Sequence, residues 1–204
     1  MKKILLIISA LALTLSLGAQ TKDAVLKNVE KAKATVENPK KASNPAAWMK
    51  LAETYVSAYN YPQSGLWIGA QAMEAKLVLK GQQVLSTETR NCSGIDFTVE
   101  VYEDKEDYFN PDGLLEVINV TKPIIDQPLE CAYEALMKAY DVDVKKSKKE
   151  DIAEQLSKLR DMYINEAMGA YTLGDIKTAN SYFEASLKVL DNPVVEKIDS
   201  MIVY

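Results

Sequence analysis

The chain reads as mostly α: a solenoid of antiparallel helix pairs with a small antiparallel β-sheet insertion. Three observations predict this. Long segments on both sides of the middle repeat their apolar residues at helical spacing. The middle alternates every second residue, as a half-buried strand does. The helical segments also place small and aromatic residues at fixed offsets, as stacked helix pairs require.

The chain opens MKKILLIISALALTLSLGAQ. Lys2 and Lys3 precede a short apolar run, and Gly18-Ala19 follow it. That is the layout of a secretory signal peptide, expected to occupy 1–19. The run is short for a membrane span, which needs about 20 apolar residues. No cysteine follows it to carry a lipid. No later segment is apolar enough to span a bilayer, so no transmembrane span is expected after cleavage.

Residues 22–37 carry Val25, Val29, Ala32 and Val36 on one helical stripe, and Pro39 ends it. Asn44-Pro45 opens a second helix over 45–60, with Asn as cap and Pro in the first turn. Residues 66–80 read as a third helix that Gly81 closes, with Gly69 near its start as a weakness. VLSTET (84–89), FTVEVY (97–102) and LLEVINV (114–120) read as strands, with turns at 91–94 and at NPDG. The insertion 61–121 is thus a helix plus a sheet of three or four strands. Asp104 and the acids around it are expected in a solvated loop or on an edge. Helix returns over 123–140. Ser147 and Glu150 form a capping-box spacing ahead of a helix over 148–173. Gly174 breaks that helix and Asp175 caps the next, over 175–190. A last apolar piece, 194–204, has the length of a truncated helix, so the chain is expected to be a fragment of a longer array.

The spacing of several residues resembles the tetratricopeptide (TPR) repeat of exported proteins in Gram-negative bacteria. Trp48, Leu51, Ala52 and Tyr55 match the first-helix pattern W-x2-L-G-x2-Y, with Ala for Gly. The second-helix pattern returns only at Ala132, Leu136 and Ala139. Helix 45–60 would pair with 123–140, splitting one unit around the insertion. A second unit pairs 148–173 with 175–190, through Ala167, Gly174, Ala179 and Phe183. It departs from the pattern at Tyr163, at Glu166 where Leu is usual, and at Ser186. The resemblance implies a TPR-like solenoid that binds protein or peptide partners in a concave groove. It implies the periplasm or cell envelope as the location, or secretion. The groove-facing slots are Met49, Glu53, Val56 and Ser57, with Ile164, Met168, Tyr171 and Thr172.

Composition limits other functions. Setting aside residues 1–19, which hold two lysines and no acid, leaves 22 basic against 29 acidic side chains, a net charge of −7. An acidic chain without a basic stripe is a poor nucleic-acid binder. There is no histidine, which excludes Ser-His-Asp and Cys-His catalysis and histidine-ligated metals. No Gly-rich phosphate loop occurs. NPDG resembles part of a calcium loop, but Tyr108 and Asn119 fall where acids are needed. Glu103, Asp104, Glu106 and Asp107 could do acid–base work, yet neighbours on a strand point apart. The lysine run at 145–149 reads as a solvated linker. No cofactor and no catalysis are expected. Cys92 and Cys131 could pair in an oxidising compartment or be two unrelated thiols. An alternative function is small-ligand or glycan binding by the inserted lobe, through Trp67, Tyr102, Tyr108 and Phe109.

Overall fold

The computed structural model describes residues 21–195. The expected signal peptide, and residues 196–204 of the expected truncated repeat, lie outside the described residues.

Helix α1 (Lys22–Glu37) starts at Thr21, whose hydroxyl accepts the Ala24 N–H at 3.3 Å. It buries Val25, Val29, Ala32 and Val36, the four residues of its apolar stripe. Asn38 ends it and caps a single turn, α2 (Pro39–Ala42). Asn44 caps α3 (Pro45–Asn60), accepting the Ala46 N–H at 3.0 Å. The Trp48 indole donates to the Ala42 carbonyl at 2.7 Å and ties α3 to α2. Helix α5 (Pro128–Val142) packs along α3, and α6 (Lys149–Thr172) packs along α7 (Ile176–Leu190). Gly174 adopts φ +83° between α6 and α7, where a Cβ would be strained, and Asp175 caps α7 through the Thr178 N–H at 3.0 Å.

The main core joins α1, α3, α5 and α6 through alternating small and large residues. Ala52, Ala132, Ala139 and Ala153 allow close crossing, and Leu136, Leu156 and Leu159 fill the space between. Glu130 of α5 accepts from Tyr163 of α6 and from Lys188 of α7, both at 3.2 Å, so three helices share one carboxylate.

Between α3 and α5 the chain builds α4 (Ala72–Val78) and four strands: β1 (Ser86–Cys92), β2 (Ile95–Val101), β3 (Lys105–Phe109) and β4 (Leu115–Val120). They form one antiparallel sheet in sequence order. One face carries Phe97, Val99, Tyr108 and Val117 and meets Leu173 at the end of α6. Leu66, Ala75 and Leu79 cover the other face, packed on Tyr102, Phe109 and Leu115.

Several expectations are corrected. The sheet is a full structural element with two hydrophobic clusters of its own. The fold is therefore mixed α and β, not a mostly α solenoid. The expected helix over 66–80 shortens to Ala72–Val78, because Gly69 at φ +91° turns the chain ahead of it. Helix α5 begins at Pro128, after Gln127 at φ +48°. The expected Ser147–Glu150 box is replaced by Asp143, whose carboxylate accepts the N–H groups of Ser147 at 3.1 Å and Lys148 at 2.7 Å. Cys92 and Cys131 are free thiols.

Of the acidic stretch expected in a solvated loop or on an edge, Glu103 and Asp104 do lie in the loop between β2 and β3, but 105–109 form strand β3, and its Lys105 and Asp107 are inside. Lys105 donates to Asp107 Oδ2 at 2.7 Å, with both side chains fully buried. Asp107 lies opposite Glu100 across the ladder. Glu100 accepts from the Tyr102 hydroxyl at 2.8 Å, and the Lys105 ammonium sits 4.9 Å from the Tyr102 ring centre. Burial raises the Asp107 pKa against the pull of Lys105, and lowers that of Lys105 against the pull of Asp107. Asp107 Oδ1 has no hydrogen-bond partner among the described residues. Removing one member of a buried ion pair strands the other charge in a dry site and costs about 3–5 kcal/mol. Lys105→Met should therefore lower the unfolding free energy by about that amount in urea titration, and Lys105→Met with Asp107→Leu should restore most of it. A single variant as stable as the parent chain would contradict the pairing.

Candidate functional site

A cleft of about 740 Å³ lies between the sheet and the α6–α7 hairpin. Its depth follows from one residue. α6 presents Gly169 to β4, and a Cβ there would lie 3.2 Å from Val117 Cγ1. The missing side chain lets the helix lie against the strand. The Ser93 hydroxyl donates to the Thr172 carbonyl at 3.3 Å beside this contact. The segment 59–68, leaving α3, forms the third wall with Tyr59, Asn60, Gln63, Trp67 and Ile68.

All of 116–120 on β4 line the cleft, residues of both faces together, so the strand meets it with its edge. β4 is an end strand of the sheet. In an antiparallel ladder, backbone groups face the neighbour at every second residue and face away at the others. Tyr102 N donates to Lys105 O, and Thr121 N donates to Asp104 O, each at 2.8 Å. Following the register from these bonds, Glu106–Asn119 and Tyr108–Val117 are the hydrogen-bonded pairs. The N–H and C=O groups of Ile118 and Val120 therefore point away from β3. The start of β4 is already paired on that outer side. Gly69 N donates to Leu115 O at 2.7 Å, and Leu115 N donates to Ala70 O at 2.8 Å. The chain turns off at Gly69 and leaves the second half of the edge in the cleft.

Glu166 of α6 lies in the cleft wall. Its Oε1 accepts the Tyr59 hydroxyl at 2.7 Å. Burial holds the Glu166 pKa above the usual carboxylate range, partly offset by that hydrogen bond. Burial first, then the Glu166 charge, pushes the Tyr59 hydroxyl far above the usual tyrosine range. Among the described residues the cleft lining contains three acids, Glu116, Glu166 and Asp175, and neither lysine nor arginine. Asn60, Gln63, Asn119 and Asn165 add amides. Among the described residues no group of His, Cys, Asp and Glu could hold a metal ion.

The sequence-derived candidates lie elsewhere. Met49 is buried in the main core. Glu53 is exposed and receives Lys50 at 2.8 Å and Gln155 at 3.3 Å, donors from its own chain. Val56 is half-buried and Ser57 exposed. Ile164, Met168 and Tyr171 form an exposed stripe of α6 beside the cleft-facing residues, and Thr172 is half-buried. None of the eight lines the cleft. Of the repeat-pattern residues, Leu51, Ala52, Tyr55, Ala132, Ala139, Ala167 and Ala179 are buried, and Trp48 and Phe183 are half-buried. Tyr102, Tyr108 and Phe109 are buried within the sheet, and only Trp67, at 49% exposure, remains of the expected stacking surface. Sequence reasoning passed over Glu166 and Tyr59 as functional residues. The available signal was Glu166 itself, an acid in a slot where the repeat pattern wants Leu.

No family model, curated protein or solved structure matches this chain. No described helix is long and apolar enough to cross a membrane.

The Glu166 environment has a consequence for stability. A carboxyl whose pKa is raised by folding holds its proton to higher pH than the unfolded chain does. Its contribution is present at low pH and is lost as the pH rises through the folded value. Glu166→Gln should therefore make unfolding free energies fall less steeply above the usual carboxylate range. Urea midpoints over a pH series check this, and equal slopes in both proteins would contradict it.

Proposed function

We propose that this protein is a binding module that takes an extended segment of a partner protein as an added strand against β4. The observation that carries this is the half-edge of β4 inside a walled cleft, unpaired among the described residues. Exposed strand edges pair with other chains, and most proteins blunt them with charge or cover. At the other end of this sheet, β1 carries Glu88 and Arg90. On β4, Ile118 and Val120, whose backbone groups face away from β3, carry no charge, and Glu116 is the one exposed charged residue of the strand. Residues 69–71 begin a fifth strand position there and abandon it, so an incoming segment would continue an existing line of pairing. Main-chain bonds would supply affinity, and the cleft walls would supply selectivity. The sequence readings of protein or peptide binding and of export, from the Lys2-Lys3 and apolar opening, agree with this use. The glycan alternative loses its surface, since three of its four aromatics are buried.

The test uses Val120→Pro. It deletes an N–H that faces the cleft and leaves the β3–β4 ladder bonds in place. Binding of short extended peptides, followed by calorimetry, should weaken by about tenfold or more, the order of one lost hydrogen bond. The urea midpoint should stay close to that of the parent. Unchanged peptide affinity in a folded variant would overturn strand addition.

A further inference from the structure

We infer that the Tyr59–Glu166 pair is the receptor for one cationic side chain of the incoming strand, so that the partner segment is basic. This rests on the strand-addition reading above. Among the described residues the cleft is one-signed: it is lined by three acids and by no lysine or arginine. Two of those acids are engaged already. Asp175 accepts the Thr178 N–H at the start of α7, and Glu116 accepts the Asn110 side-chain amide at 2.7 Å. Glu166 is different. Its one hydrogen bond is to a neutral tyrosine, through Oε1. Its Oε2 takes no hydrogen bond from the described residues, and no cation bonds to it among them. A half-buried carboxylate in this state is costly to ionise. An incoming ammonium or guanidinium relieves that cost with a charge-assisted bond.

The geometry suits a side chain. The Tyr59 hydroxyl fixes one oxygen and aims the carboxylate. Asn60, Gln63 and Asn165 stand in the same lining as further partners for a head group with several N–H donors. Trp67 and Tyr182 offer apolar surface to the aliphatic stem of a lysine or arginine. A cation entering here displaces the proton of Glu166. Affinity for a basic segment should therefore rise with pH until Glu166 is ionised, and affinity for a neutral segment should not.

The experiment compares extended peptides that differ at one position, scanned along the sequence, carrying Lys, norleucine or Glu. Each is titrated into the full chain and into Glu166→Gln. At one position Lys should bind about tenfold more tightly than norleucine, the order of one charge-assisted contact, with Glu weakest. Glu166→Gln should bring Lys and norleucine to the same affinity and remove the pH dependence. Equal binding of all three peptides to the parent chain would overturn the basic preference and leave strand addition standing. A Lys preference that survives Glu166→Gln would place the cation elsewhere and overturn the assignment. Failure of every peptide to bind would overturn both.

Discussion

The close approach of α6 to β4 at Gly169 is the contact on which the functional geometry depends. The helical part has its core among α1, α3, α5 and α6. The sheet has two smaller clusters, one on each face. Gly169 against Val117, with Leu173 packed beside it, joins the two. Any side chain at 169 would have to push the helix or Val117 aside, and interiors resist such shifts. The cleft is the space that this contact leaves between helix hairpin, strand edge and the 59–68 segment.

Charge is distributed around this contact in two ways. Under the sheet, Lys105 and Asp107 neutralise each other in a dry site, with Glu100 and Tyr102 beside them. That arrangement fixes which side of β3 faces inward, because a one-residue slip would expose the pair and bury Glu106 instead. On the opposite face Arg90 reaches Glu106 and the Tyr108 hydroxyl, both at 3.0 Å, and Asn119 donates to Glu106 at 3.1 Å. Both faces therefore hold the sheet in one register. In the cleft, by contrast, no cation among the described residues bonds to Glu166. Under the strand-addition proposal, this half-buried carboxylate, bonded among the described residues to a tyrosine, is where a partner's cation would be received.

Much of the fold was legible in the sequence. Val25, Val29, Ala32 and Val36 marked α1 because an amphipathic helix repeats its buried face, and Asn44-Pro45 marked the start of α3 by cap chemistry. Asp175 after Gly174 located the α6–α7 turn for the same reason. Strand β3 was not legible. Its letters, KEDYF, are polar, and periodicity reads polar residues as exposed; only the tertiary pairing of Lys105 with Asp107 lets them go inside. The solenoid expectation failed in the same region, since helical spacing elsewhere could not reveal that the inserted strands build two clusters of their own. Ahead of α6 the N–H groups of Ser147 and Lys148 are taken by Asp143, farther back in the chain than a capping box reaches, so local spacing pointed to Ser147 instead. The cleft depends on residues over a hundred positions apart, Tyr59 and Glu166, and spacing alone does not bring them together.

The central claim is that β4 offers an unpaired half-edge to a partner strand. Amide hydrogen exchange tests it residue by residue. In the free protein the amides of Ile118 and Val120 should exchange fast, and those of Val117 and Asn119 slowly, although all four lie in one strand. A bound basic peptide should slow Ile118 and Val120 selectively. Uniform protection along β4 in the free protein, or no change at Ile118 and Val120 with peptide bound, would contradict the account.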